Sequence, residues 1–287
     1  MSEFIIITDS SADLPASVAC DMGVAVIPLE VNIDGIGCKY NDEIDIKDFY
    51  AWLRDKKGAK TSAINLDRFT EVFEGFVKEG KDVIYIGFSS GLSATFMAAK
   101  NAAEELSEKY PDRKIIAVDS LCASLGQGLL VKHAVDKKNA GASIEEVAQF
   151  VEENRLNLCH WFTVEDLFFL KRGGRVSAAT AVMGTVLQIK PVMHVDDAGK
   201  LINVEKARGR AASINSLFAK MKETAIDPEK QTIYISHGDC YDDAKKLADM
   251  ITAEFGITDI LISEVGPVIG AHSGPGTLAL FFLGSKR

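Results

Sequence analysis

The sequence predicts an α/β protein of two domains, the first on a mostly parallel sheet with flanking helices, the second mixed α/β. Two observations carry this. Short buried strands at Phe4 to Ile7, Val83 to Phe88 and Lys114 to Val118 are each followed by a helical stretch, the pattern of parallel strands with helices on both faces. The pattern then changes near Asn157. Beyond it, Ile189 to Val195 and Leu201 to Lys206 flank Asp196-Asp197-Ala198-Gly199 as an antiparallel hairpin. The expected domains are therefore residues 1–157 and 158–287. A chain of 287 residues suits that division, and its 47% apolar content is ample for packed cores.

In chain order, a short helix is expected over Ala16 to Met22, strand over Val24 to Ile33, and a turn at Asp34-Gly35. Asp45 caps a helix to Arg54, and Lys60 to Asn65 reads as loop. In the helix Leu66 to Lys78, Phe69, Val72, Phe73 and Phe76 recur at helical spacing. After the strand at Val83, Leu92, Phe96, Ala99, Ala103 and Leu106 line one face of another helix, with Ser89 or Ser90 as its cap. Amides at such a helix start favour an anion, and Ser93 falls in the same turn.

Helices follow over Ala123 to Asn139 and from Ser143, where Glu146 completes a capping box. In the second half, Cys159 to Val164 is strand, Glu165 to Leu170 a short helix and Ser177 to Val186 a further helix. A helix then runs over Arg208 to Glu223, and Thr232 to Ser236 is strand before a helix ending near Glu254. Ile260 to Val265 and Thr277 to Leu283 are strands that bracket a glycine-rich loop from Gly266 to Gly276.

The formal net charge of −9 argues against nucleic acid or an anionic membrane as the main partner, since both require a positive field. Five dispersed cysteines form no framework and point to reduced thiols in the cytoplasm. No apolar run approaches the ~20 residues of a membrane span, and no leader peptide is expected. The histidines form no spaced metal-ligand pair. No glycine stretch carries the Lys-Ser/Thr of a phosphate loop, and no strand leads into Gly-x-Gly-x-x-Gly, so no nucleotide cofactor is expected.

Gly87-Phe88-Ser89-Ser90-Gly91, between strand and helix, matches a nucleophile elbow. It makes Ser89 a candidate nucleophile, with Asp239 and His272 following in hydrolase order. The bland alternative is that the strand-end clusters Thr8-Asp9-Ser10-Ser11, Ser89-Ser90-Gly91 and Asp119-Ser120 are caps. Lys171-Arg172-Gly173-Gly174-Arg175 reads either as cations at a helix end or as a means of bringing Arg175 to another part of the protein.

Together these segments resemble one known family. Thr8-Asp9-Ser10-Ser11-Ala12-Asp13-Leu14-Pro15, Thr61-Ser62, Ser89-Ser90-Gly91-Leu92-Ser93, Lys171 to Arg175, Lys190-Pro191, Arg208 and Gly270 to Gly276 stand in the order found in the DegV family. The resemblance implies a two-domain α/β protein with an internal tunnel for one long-chain fatty acid, a ligand rather than a cofactor. It implies a non-catalytic carrier that presents the acid to a separate fatty acid kinase for phospholipid synthesis. Carried across, Ser62 and Ser93, with Thr61, would bind the carboxylate. His272 and Arg175 would lie near the head group, and Arg208 would belong to the kinase-facing surface. The chain departs from the family pattern at Ala63-Ile64, where Gln-Pro is usual, and at Ala94, where Gly is usual. The chemistry suits a fatty acid: each buried methylene contributes roughly 0.8 kcal/mol, and a carboxylate leaving water needs hydrogen bonds in exchange.

Overall fold

In a computed structural model, residues 3–177 and 188–287 are described. Strands β1 (Phe4–Asp9), β2 (Val24–Ile27), β6 (Asp82–Gly87) and β7 (Ile115–Asp119) form one parallel sheet in the order β2-β1-β6-β7. These are the strands expected to alternate with helices, and their carboxyl ends share one edge. A second sheet is antiparallel, with β3 (Glu30–Ile33) between β4 (Gly37–Tyr40) and β5 (Ala59–Ser62). The third has six strands. It contains β8 (Leu158–Thr163), β9 (Ile189–Val195), β10 (Leu201–Arg208), β11 (Ile233–His237), β12 (Ile260–Glu264) and β13 (Leu278–Leu283), in the order β10-β9-β8-β13-β11-β12. Only β11 and β12 run parallel in it. The expected α/β class with one parallel and one mixed sheet is what forms.

Three apolar cores hold the layers. Helices α3 (Leu66–Lys78) and α4 (Thr95–Lys109) press Phe69, Phe73, Ala99 and Leu106 onto one face of the parallel sheet, against Ile7 and Tyr85. Its other face receives α5 (Ser124–Asn139) and α6 (Ile144–Asn154), and the same core continues to Phe162, Tyr234 and Phe281 of the third sheet. Helix α5 is thus buried between two sheets. That explains why Leu125, Leu129, Leu130 and Val131 do not confine themselves to one stripe. The far face of the third sheet is covered by α8 (Arg210–Thr224) and α9 (Tyr241–Phe255), through Leu217, Met221, Leu247 and Ile251. Each fully buried Leu, Ile or Phe contributes about 1.5–3 kcal/mol.

Several elements differ from the sequence expectation. The strand expected over Val24 to Ile33 is broken at Pro28-Leu29. Proline has no N–H for the ladder, and Leu29 N–H instead donates to Ser10 Oγ (2.9 Å). The chain then leaves the parallel sheet and enters the second. Lys60 to Asn65, expected as loop, contributes β5, in which Thr61 pairs with Val31 and Ser62 with Glu30. A strand of four half-polar residues carries little sequence signal; its partner β3 stabilises it. The glycine-rich stretch after Gly266 contains a helix, α10 (Pro267–Ser273), with proline in its first turn and Gly274 at φ +77° beyond its end. The helix expected over Ser177 to Val186 lies, from 178 onward, outside the described residues. The hairpin forms as expected, its tip held by Asp196 Oδ1, which accepts from Ala198 N and Lys200 N.

The first strand-end cluster is structural. Buried Asp9 accepts from Ser11 N (3.0 Å), Tyr85 OH (2.6 Å), Phe88 N (3.1 Å) and Gln127 Nε2 (3.2 Å). A buried carboxylate needs such partners, and here it ties β1 to β6 and α5. Asp119 and Ser120 serve similarly: Asp119 Oδ1 accepts from Ser90 N and Leu121 N, and Ser120 Oγ donates to the Gly87 carbonyl.

Candidate ligand cavity

The feet of α4 and α5, the C-terminal end of α10 and one face of the third sheet enclose a cavity. It holds about 750 Å³ of atom-free space, its mouth included, yet only about 80 Å³ admits the centre of a water molecule, so it is narrow. Side-chain alternation along paired strands sets its floor. His160 and Phe162 of β8, Ala279 and Phe281 of β13, and Ser236 of β11 point the same way, with Ala279 paired to both Phe162 and Ser236. Leu29, Phe88, Leu92, Val265, Val268 and Ile269 add to an apolar lining.

Four of the residues singled out from the sequence meet at this cavity: Thr61, Ser93, Arg175 and His272. Thr61 Oγ1 and His272 Nε2 are 2.8 Å apart. Ser93 sits before the first turn of α4, where its Oγ accepts from Thr95 N (3.2 Å) and shares a hydrogen bond with Thr95 Oγ1 (2.9 Å). Arg175 follows α7 (Phe168–Arg172) and the turn at Gly173-Gly174. Its Nε donates to the Leu92 carbonyl (3.1 Å) and its guanidinium also to the Gly173 carbonyl. It is the one charged side chain among the described residues lining the cavity. Burial, with the cations Arg175 and Arg172 nearby, pushes the His272 imidazole down to about 4, so it is neutral near pH 7. The polar end therefore offers a guanidinium, two hydroxyls and a neutral imidazole.

His272 lies against Gly173, where a Cβ would stand 2.1 Å from Nδ1. Gly173 has an ordinary helical backbone, so alanine there tests contact alone. Gly173→Ala is expected to displace the imidazole and to destabilise the protein by about 1–3 kcal/mol, as read by urea unfolding. Unchanged stability would mean that the ring swings aside freely.

Ser62 is not brought to the cavity. It is exposed and follows Thr61 in β5, so its side chain takes the opposite face; in a loop, both could have turned inward. Arg208 ends β10 and is exposed. Ala94 is the residue before α4, and Ala63 and Ile64 follow β5. Neither Ser89 nor Ser90 caps α4, which begins only at Thr95. The Ser89 Oγ is buried beneath the hairpin tip, donating to the Gly199 carbonyl (2.8 Å) and accepting from Gly91 N (3.2 Å).

The hydrolase triad is not assembled. While Ser89 is covered by Gly199, His272 bonds Thr61 and Asp239 pairs with Arg54 at an exposed position (2.7 Å). Sequence reasoning missed His160, Ser124, Ser236 and Ser273 on the cavity wall. Alternation in β8, β11 and β13 was the available signal for the strand residues. Among the described residues no group of His, Cys, Asp and Glu could hold a metal ion, and no helix is long and apolar enough to cross a membrane.

A family model described as "Uncharacterised protein, DegV family" matches residues 3–285. The chain belongs to the DegV family. A DegV domain-containing protein of Clostridium perfringens is 47% identical over 291 residues, covering 100% of this chain and 99% of that protein. A DegV family protein from Thermus thermophilus, whose structure is described as fatty acid binding, is similar with a TM-score of 0.86 at 30% identity, over 98% of this chain and 99% of that one. A DegV lipid-binding protein from Thermotoga maritima gives 0.85 at 28% identity over 99% of each chain. In this DegV protein, Thr61, Ser93, Arg175 and His272 of the family segments face the cavity, whereas Asp9 and Ser89 of those segments stabilise loops around it, as does Asp119 of the third strand-end cluster.

Proposed function

We propose that this DegV protein binds one long-chain fatty acid, with the acyl chain in the narrow apolar cavity and the carboxylate at its polar end. The observation that carries the proposal is a single guanidinium with two hydroxyls at one part of an otherwise largely apolar, narrow cavity. The carboxylate accepts from Arg175, Ser93 and Thr61. When His272 Nε2–H donates to Thr61 Oγ1, the Thr61 hydroxyl proton is free for the ligand; neutral His272 thus orients a donor without adding charge. A long acyl chain supplies roughly 10 kcal/mol before binding costs are subtracted. The family relatives described as fatty acid binding, from Thermus thermophilus, and as lipid binding, from Thermotoga maritima, support the same ligand class.

The proposed activity is carriage: the protein holds the acid and presents its carboxylate to a fatty acid kinase, with exposed Arg208 on the surface that meets the kinase. Compartment and domain division follow as part of the same reading, a cytoplasmic carrier with units at 1–157 and 158–287. The test is mass spectrometry of purified, denatured protein. Near-stoichiometric long-chain fatty acid is expected. Preparations that neither contain such an acid nor take one up when it is added would overturn the proposal.

A further inference from the structure

We propose that Ser124, Ser236 and Ser273 form a hydrogen-bonding subsite in the cavity wall, suited to a fatty acid bearing a hydroxy or oxo group on its chain. This rests on the fatty acid reading and specifies the class of acid. All three serines line the cavity and all are buried, Ser273 to 4% exposure and Ser236 to zero. Ser273 Oγ has no hydrogen-bond partner among the described residues. A buried hydroxyl left unpaired is costly, so the position favours an occupant that pairs with it.

Ser236 and Ser124 share a hydrogen bond of 3.1 Å, and Ser124 Oγ lies 2.6 Å from Asp13 Oδ2. Ser124 in the cavity wall and Asp13 behind it both hold left-handed backbone, φ +54° and +53°, which is unusual for residues with a Cβ. Burial pushes the Asp13 carboxyl up to about 8, with the Ser124 hydrogen bond opposing. Ser124 donates to the ionised carboxylate, but near neutral pH the carboxyl is largely protonated, and the neutral form donates through Oδ2 to Ser124 instead. Ser124 then donates to Ser236, and the Ser236 proton remains for an acceptor in the cavity. Ser273 comes to the same stretch of wall because Gly274, its neighbour, packs on Gly238, two residues beyond Ser236: a Cβ on Gly238 would meet the Gly274 carbonyl oxygen at 2.9 Å. A purely aliphatic chain leaves the Ser273 hydroxyl without a partner and the Ser236 proton without an acceptor, whereas a hydroxy or oxo group answers both.

The test compares stearic acid with hydroxystearic acids substituted near the carboxyl, at mid-chain and near the methyl end. Displacement of a fluorescent fatty acid from delipidated protein gives each affinity. At least one positional isomer is expected to bind about three- to tenfold tighter than stearic acid. In Ser273→Ala or Ser236→Ala, that ratio should collapse toward one or reverse. If stearic acid binds but every hydroxy acid binds more weakly, the subsite is overturned while the carrier reading stands. A preference that survives in both variants overturns it equally. If no acid binds, stearic acid included, the carrier reading fails and the subsite fails with it.

Discussion

Replacing Asp13 with asparagine is expected to remove a fall in stability that accompanies rising pH. Burial raises the Asp13 carboxyl from its ordinary 3.8 to about 8. The folded protein therefore holds this proton more tightly than the unfolded chain does. Stability from this group is fully present below about pH 4 and is lost as pH rises to 8, because the unfolded carboxyl ionises first. At about 1.4 kcal/mol per unit, the loss is on the order of 5 kcal/mol. Asparagine carries no titrating proton, keeps a polar side chain near Ser124, and tolerates the left-handed backbone at this position. Urea unfolding at pH 5 and pH 9 should thus show Asp13→Asn gaining several kcal/mol relative to the unchanged protein at the higher pH. Curves that stay parallel across that range would show that Asp13 ionises normally in the folded state.

Arg175→Gln is expected to weaken fatty acid binding by about ten- to a hundredfold, the range for a lost charge-assisted hydrogen bond. Burial pulls the guanidinium down from its ordinary value, but arginine keeps its charge. The same side chain also holds the Leu92 and Gly173 carbonyls, so the variant could act through the loop instead. The methyl ester of the same acid separates the two roles. If Arg175 holds the carboxylate, the acid loses affinity and the ester does not. An equal loss for both would assign Arg175 to loop positioning and remove it from the head-group site.

Much of the fold was legible because its signals are local. Phe69, Phe73 and Phe76 mark α3 by spacing alone, and the strand–helix alternation before Asn157 is enough for a parallel sheet. The hairpin was readable from Asp196 to Gly199. What escaped depends on partners distant in sequence. Strand β5 exists because β3 completes its hydrogen bonds, and that pairing turns Thr61 toward the cavity and Ser62 away. The elbow at Ser89 looks alike in sequence whether it is open or covered; the tip of the hairpin, more than a hundred residues away, covers it.

The sequence by itself therefore determined the α/β class and most of the helices and strands, because periodicity and turn chemistry act within a few residues; Thr61, Ser93, Arg175 and His272 at the polar end of the cavity were singled out for a head group through the resemblance to the DegV family. Tertiary structure alone decided which hydroxyls face that cavity, that Asp13 is buried beside Ser124, and that Ser236 and Ser273 both line its wall. Burial and hydrogen-bond partners arise only when strands and helices far apart in the chain pack together, and those set both the charge state of Asp13 and the reach of each hydroxyl.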